Sequence, residues 1–454
     1  SNYVCLWKWE ELQPEQVGHA QDARLYARLA LWLSRSETGD RSELSLRREE
    51  EAAWAAVAVD EACAGDRCRH GERCPYLRAR RQAAEASLLI VNHALLLADA
   101  TADNRVLPPY RHLICDEAHH LPEVASQQFA VRLSEGELLR LLDGLHRRGS
   151  RAAAGLLDRL GRHPSGEVEA ARAAVGPARE AVVELFAALR AVAGRDPQGE
   201  GGAWRLTALA RRPGWPTVAA AAENLAGRLR ALAAALAPVA EAAAARPELQ
   251  AALRARLQQM AGAAAVVEGV LLAARRDDQE RVAWFEVEEG TGAGCVVDTP
   301  LEPGPELAER LFRPLQAVVL TSATLSIDGS FDYFARQVGL DEARTLAIAP
   351  AFAYREQALL CLPTDVPDPA GDEESYLQQA CAFLGRLASA LGGRTLVLFT
   401  SHRALREAYR RLADPLARAD ITLLGQGIDG GQARLLEAFR RQQRAMLQIG
   451  RAHV

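Results

Sequence analysis

Lysine is almost missing from this chain. Lys8 is the only one in 454 residues, so nearly all positive charge is carried by arginine. A phosphate-cradling loop of the form Gly-x-x-x-x-Gly-Lys-Ser/Thr needs a lysine behind glycines. Lys8 sits in Leu6-Trp7-Lys8-Trp9, so that loop is excluded from these residues. No apolar run of about eighteen residues is free of charge, which argues against a transmembrane helix. Ser1 is not preceded by a methionine and no basic n-region follows it, so no signal peptide is expected, and the chain reads as though cut from something longer. A net charge of −5 excludes a globally basic nucleic-acid binder, so any such track must be local. A chain of this size with no secretory signal also argues against a disulfide framework for its eight cysteines.

What is present centres on residues 112–121, His-Leu-Ile-Cys-Asp-Glu-Ala-His-His-Leu. The apolar start is too short for a helix and suits a buried parallel strand. Asp116 and Glu117 follow it, at the strand's carboxyl end, where open α/β sheets bind ligands. One carboxylate can hold hydrated Mg²⁺ and the other can polarise a water, the division of labour that nucleotide hydrolysis requires. A second β-branched run, residues 315–325, ends in Thr321-Ser322-Ala323-Thr324.

Cys63, Cys68 and Cys74 fall within twelve residues of a glycine-containing loop, and Pro75 follows the last of them. Converging thiolates on a loop are what an iron–sulfur cluster needs. The spacings lack the matched knuckles of a zinc ribbon. Cys5 is the only other cysteine ahead of the 112–121 strand. Arg67, Arg69 and Arg73 give this loop an excess of guanidinium that suits a phosphate backbone, or equally a solvated face.

Further along, residues 44–63 read as helical, and residues 120–280 read as a mostly helical, Ala/Leu/Arg-rich segment, with breaks at 163–166, 196–202 and 212–216. Strands are expected at 282–287 and 295–298 around a turn at 289–292. A second α/β region follows residue 328. Its buried strand, residues 394–401, ends in the hydroxyls of Thr400 and Ser401, and Gln426-Gly427 follows a later apolar run.

An Asp-Glu-Ala-His box, then a strand ending in Ser-Ala-Thr, resembles the Walker B and third motifs of superfamily-two helicases. Asn2-Tyr3-Val4-Cys5, the three-cysteine loop and Val91-Asn92-His93-Ala94-Leu95-Leu96 narrow this to a resemblance to the XPD/DinG family of iron–sulfur helicases, in its DinG-like branch. The resemblance implies an α/β fold of two RecA-like lobes of the P-loop NTPase type, both incomplete here, with inserted iron–sulfur and helical arch domains. It divides the chain into 1–88 (cluster domain), 89–119 (first lobe), 120–280 (arch), 281–328 (return to the first lobe), 329–447 (second lobe) and 448–454. The last segment spells a reading frame of a sequencing adapter and is expected to be adapter-derived. It mimics motif VI but has one residue, not two, between Gln448 and Gly450. Motif V is not found.

The same resemblance implies an ATP-dependent DNA helicase of 5′-to-3′ polarity, acting in repair or replication. It would be a monomer in the bacterial cytoplasm, at the nucleoid, with no membrane partner. Its ligands would be ATP, Mg²⁺, a [4Fe–4S] cluster, single-stranded DNA and duplex junctions. Asp116 would hold Mg²⁺ through water, Glu117 would activate the attacking water, and His119 would couple the site onward with Ser322 and Thr324. Cys5, Cys63, Cys68 and Cys74 would ligate the cluster. Arg67, Arg69, Arg73, Thr400, Ser401 and Gln426 would meet nucleic acid. Without the lysine loop this chain alone is expected to hydrolyse little ATP. The alternatives are a non-catalytic iron–sulfur or zinc nucleic-acid-binding protein.

Overall fold

The structure, a computed structural model, describes residues 2–11, 20–44, 46, 50–102, 104–146, 155–160, 165–194, 202–275, 280–288, 292–340, 342–349, 352–368, 371–430 and 432–450. It divides into two compact units, Ser1–Ala347 and Ile348–Val454. Among the described residues no helix is long and apolar enough to cross a membrane.

The first unit opens with helices α1 (Leu6–Glu10), α2 (Ala20–Leu33) and α3 (Glu51–Val57). Among the described residues of the expected 44–63 helix, Glu51–Val57 alone is α-helical. From Ala58 the backbone is extended, because Val4 bridges Ala58 and Val59 N–H donates to the Tyr3 carbonyl. Val4, Leu25, Leu29, Trp54 and Val57 bury a small core here. Helix α4 (Pro75–Glu85) begins with proline in its first turn, where the missing N–H costs nothing. Helix α5 (His93–Thr101) is capped by Asn92, whose Oδ1 accepts the Leu95 N–H at 2.8 Å.

Strand β1 (His112–Cys115) leads to a 3₁₀ turn, Ala118–His120, and helix α6 (Leu121–Gln128). Strand β2 (Val131–Ser134), helix α7 (Glu135–Leu145), helix α8 (Gly166–Ala193), strand β3 (Ala203–Arg205), and helices α9 (Leu206–Leu209), α10 (Trp215–Ala242) and α11 (Pro247–Ala273) follow. Then come strands β4 (Arg281–Val287) and β5 (Gly294–Pro300). These strands form one antiparallel sheet in the order β2-β5-β4-β3, so the expected boundary at 280/281 runs through the β3–β4 pairing. Helices α7, α8, α10 and α11 pack over this sheet around a core that includes Phe186, Leu225, Leu253 and Phe285. Of the expected turns and breaks in this region, residues 289–291, 163–164 and 196–201 lie outside the described residues.

Helix α12 (Gly304–Leu307), a π turn at Ala308–Phe312, strand β6 (Ala317–Leu320) and helix α13 (Asp332–Val338) complete the unit. Gly339 ends α13 with φ +73°. A Cβ there would stand 2.1 Å from the Gly304 carbonyl oxygen, so the chains can cross only as glycines. Strand β6 pairs in parallel with β1, Cys115 opposite Leu320. One face of this pair is covered by α5, α6 and α13. The other leaves Ile114 73% and Val319 52% exposed, so the strand expected to be buried is covered on one side only.

The second unit holds α14 (Tyr354–Gln357), α15 (Glu373–Leu391), β7 (Thr395–Leu398), α16 (His402–Arg418), β8 (Thr422–Gly425), α17 (Gln432–Arg441) and β9 (Ala445–Ile449). Its sheet is parallel, in the order β7-β9-β8. β7 is again half covered, with Leu398 71% exposed, in place of the fully buried strand that its composition predicts. Gln448 is fully buried in the central strand, across the expected 447/448 boundary. Residues 451–454 lie outside the described residues. Both units are mixed α/β, with parallel strand pairs as in RecA-like folds.

Candidate nucleotide and metal sites

The β1–β6 pairing brings the two carboxylates to the Ser-Ala-Thr segment. Thr321 N–H donates to Cys115 O at 2.9 Å, and Ala118 N–H donates to Thr321 O at 3.0 Å, so the two strand ends are stitched together. Asp116 Oδ1 accepts the Glu117 N–H at 3.0 Å. Its other oxygen has no protein partner among the described residues. Glu117 lies in the left-handed region at φ +48°, where a non-glycine residue is strained, and such residues cluster at functional sites.

The Ser322 hydroxyl donates to Glu117 Oε2 at 3.3 Å. It stands 2.6 Å from His119 Nδ1, which then donates to it, and the Thr324 N–H approaches it at 3.4 Å. His119 Nδ1 is also 3.3 Å from Glu117 Oε2. Three residues from two distant segments thus share one hydrogen-bonded cluster, with the Glu117 carboxylate still largely exposed. A carboxylate so placed can accept a proton from water while its orientation is held.

His93 was not foreseen as a site residue. Its Nε2–H donates to the Asp116 carbonyl at 2.9 Å, and the same nitrogen is 3.3 Å from Cys115 Sγ. The signal lay in the Asn92-His93 pair itself: the first residue starts a helix, and the second reaches the strand next to it. Burial pushes the Cys115 thiol up to about 11, with Asp116 adding to the rise, so this sulfur stays protonated and unreactive.

Cys5, Cys63, Cys68 and Cys74 are all free thiols and all line one cavity of about 20 Å³, more than the ~10–15 Å³ that a single water needs. Cys5 reaches the loop because its N–H donates to Val57 O at 2.8 Å, at the foot of α3. Cys74 is the N-cap of α4, and Gly65 N–H points at Cys63 Sγ at 3.4 Å. Burial pushes the Cys5 thiol up to about 11, against the Lys8 backbone N–H and ammonium, which pull it down. Burial raises Cys63 and Cys68 as well. His70, 6% exposed, also lines the cavity, and its Nδ1 is buried with no partner. Four thiols and an orphaned imidazole nitrogen around one space fit a bound inorganic group. Among the described residues no three His, Cys, Asp or Glu side chains gather closely enough for a single metal ion.

The expected nucleic-acid residues divide. Arg67 and Arg73 are exposed, and their guanidinium groups have no protein partner among the described residues. Arg69 is engaged, 3.4 Å from Glu10, 3.3 Å from Glu11 and 3.2 Å from His70. In the second unit Thr400 is exposed, Ser401 caps α16 through the Ala404 N–H at 3.1 Å, and Gln426 Oε1 accepts the Gly450 N–H at 3.0 Å. Ser401 and Gln426 therefore hold their own loops.

Comparison with known proteins places this geometry. The DEAD_2 family model matches residues 41–138, from ahead of the cysteine loop to beyond the Asp-Glu-Ala-His box. The chain is 27% identical to the 3'-5' exonuclease DinG of Bacillus subtilis, over all of this chain and 50% of that protein. It is 24% identical to the ATP-dependent DNA helicase YoaA of Haemophilus influenzae, over 98% of this chain and 64% of that one. It is 28% identical to the ATP-dependent helicase DinG of Mycobacterium tuberculosis, over 96% and 62%. The chain thus spans about half to two-thirds of the length of these relatives. With strand-end carboxylates hydrogen-bonded to a Ser-Ala-Thr segment, four cysteines around one cavity and relatives matched along its length, the chain is similar to DinG-like helicases over nearly all of its residues.

Proposed function

We propose that this chain supplies much of an ATP-driven DNA helicase of 5′-to-3′ polarity, acting in repair or replication. The observation that carries this reading is the Glu117–Ser322–His119 cluster at the ends of two paired parallel strands. Mg²⁺ would be held through water at Asp116 and would offset charge on the nucleotide phosphates. Glu117 takes the proton of the attacking water. Ser322 and His119 fix its carboxylate, and because Ser322 belongs to another strand, a shift of that strand alters the site's geometry. That is how a coupling residue works. His93 holds the Asp116 peptide from behind. The names of the relatives, DNA helicases that depend on ATP, support ATP and DNA as ligands here.

The cysteine cavity is read as an iron–sulfur site in preference to a zinc site. A lone zinc needs four ligands at about 2.0–2.3 Å from one point. A cluster spreads its thiolates over several iron atoms, and four cysteines line this one cavity. The cluster would brace the cysteine loop, with Arg67 and Arg73 turned to a phosphate backbone. The lobes would be RecA-like, and the four-stranded sheet favours drawing the arch out to about residue 300 rather than 280. The reading carries a monomer acting on nucleoid DNA, at single strands and duplex junctions.

The 454 residues hold no lysine-containing phosphate loop, so the test uses the product of the whole reading frame. Duplexes with a 5′ or a 3′ single-stranded tail are offered with ATP. Unwinding of the 5′-tailed substrate alone is expected. Preference for the 3′ tail overturns the polarity, and no unwinding of either overturns the helicase reading.

A further inference from the structure

The thiol cavity has a wall from a distant part of the chain. Glu248, in the first turn of α11, lines it and is 8% exposed. Its Oε1 accepts the backbone N–H of Arg69 at 2.7 Å, across 179 residues of sequence. Arg69 directly follows Cys68. The contact does not stand alone. Further down α11, Ala252 is buried, and Arg256 is half-buried near Asp60 and Glu61. Arg256 donates to Gln259 Oε1 at 2.6 Å, and Gln259 Nε2 donates to Glu61 Oε2 at 3.0 Å. Positions 248, 252, 256 and 259 recur at helical spacing, so one stripe of α11 runs along the segment that carries Cys63 and Cys68.

We infer that Glu248 is a positioning residue of the thiol site: by fixing the backbone beside Cys68 it ties the filling of the cavity to the start of α11. The inference rests on the cluster reading above. A carboxylate near several thiolates is electrostatically unfavourable, and it is held here by the Arg69 N–H and by its place in a helix's first turn, where the dipole favours an anion. Loss of an outer hydrogen-bond partner of a metal ligand costs about 10- to 100-fold in metal affinity. Glu248 acts one residue further out, on the backbone N–H that follows Cys68.

The test loads the 454-residue chain anaerobically with ferrous iron and sulfide. Glu248→Gln keeps an acceptor oxygen, and Glu248→Ala removes it. Wild type and Glu248→Gln should hold iron equally against a chelator, and Glu248→Ala should release it about 10- to 100-fold faster. In the wild type, loading should slow amide hydrogen exchange over residues 247–253, a readout that needs no variant to fold. Wild type that loads iron without slowing that exchange, or Glu248→Ala that holds iron as wild type does, overturns the inference and leaves the cluster reading standing. Wild type that takes up no iron overturns the cluster reading, and the inference falls with it.

Discussion

Ser322 stands between two groups that need each other's orientation. Its hydroxyl donates to Glu117 and receives from His119, so removing it frees a carboxylate already held on a left-handed backbone. In the whole gene product, Ser322→Ala should lower kcat for ATP roughly 10- to 100-fold with little change in KM, because positioning and not binding is lost. A raised KM at unchanged kcat would assign Ser322 to binding. Cys115 offers a pH test. Burial lifts its thiol from 9.0 to about 11. Between these values the unfolded thiol has lost its proton while the folded one keeps it, so unfolding releases a proton and stability falls as pH rises. The loss is on the order of 2 kcal/mol over that window. Thermal melts of the metal-free chain at pH 8 and pH 10.5 should differ less for Cys115→Ala than for wild type. Equal differences would contradict the buried-thiol account. Which arginines are free was not legible at this scale. Local counting grouped Arg69 with its neighbours, and did not show that Glu10 and Glu11, at the end of α1, pair with it.

The strands show what short apolar runs can and cannot say. Residues 112–115 and 317–320 were legible as strands from their apolar composition and from the polar motifs that end them, whereas their parallel pairing is a finding of the structure. Which faces would be covered was not written there. Alternation records only which residues share a face, and Ile114 and Val319 share an uncovered one. β2 and β3, at four and three residues, are too short to carry a period, so the sheet that joins 131–134 and 203–205 to the 281–300 hairpin was invisible in the sequence. The helix expected over 44–63 failed for a related reason: Ala and Trp favour helix locally, but the Val4–Ala58 bridge pulls the chain straight. The helical core rests on this hidden sheet. Phe285, fully buried on β4, stacks with Trp204 of β3 at 6.0 Å between ring centroids. Phe285→Ala should cost about 3–5 kcal/mol in chemical denaturation, and a cost below about 1 kcal/mol would mean that the sheet does not support the helices.

Across the whole molecule, each unit carries its own core, and the Glu117–Ser322–His119 cluster and the thiol cavity both lie within Ser1–Ala347. The motif order along the sequence was enough to foresee a mixed α/β chain similar to DinG-like helicases. The sequence could not foresee that α11 would form a wall of the thiol cavity, since no local pattern links Glu248 to Arg69. In the proposed reading DNA is met through local arginines such as Arg67 and Arg73 on a chain of net charge −5, so binding should be weak in sequence preference and sensitive to salt. The most direct test of the central claim is steady-state ATP hydrolysis by the whole gene product, with and without single-stranded DNA, for wild type and Glu117→Gln. The account predicts strong stimulation by DNA in the wild type and a fall of roughly 100-fold or more in Glu117→Gln, with both proteins equally folded. Hydrolysis that ignores DNA, or that survives the loss of the Glu117 carboxylate, would contradict it.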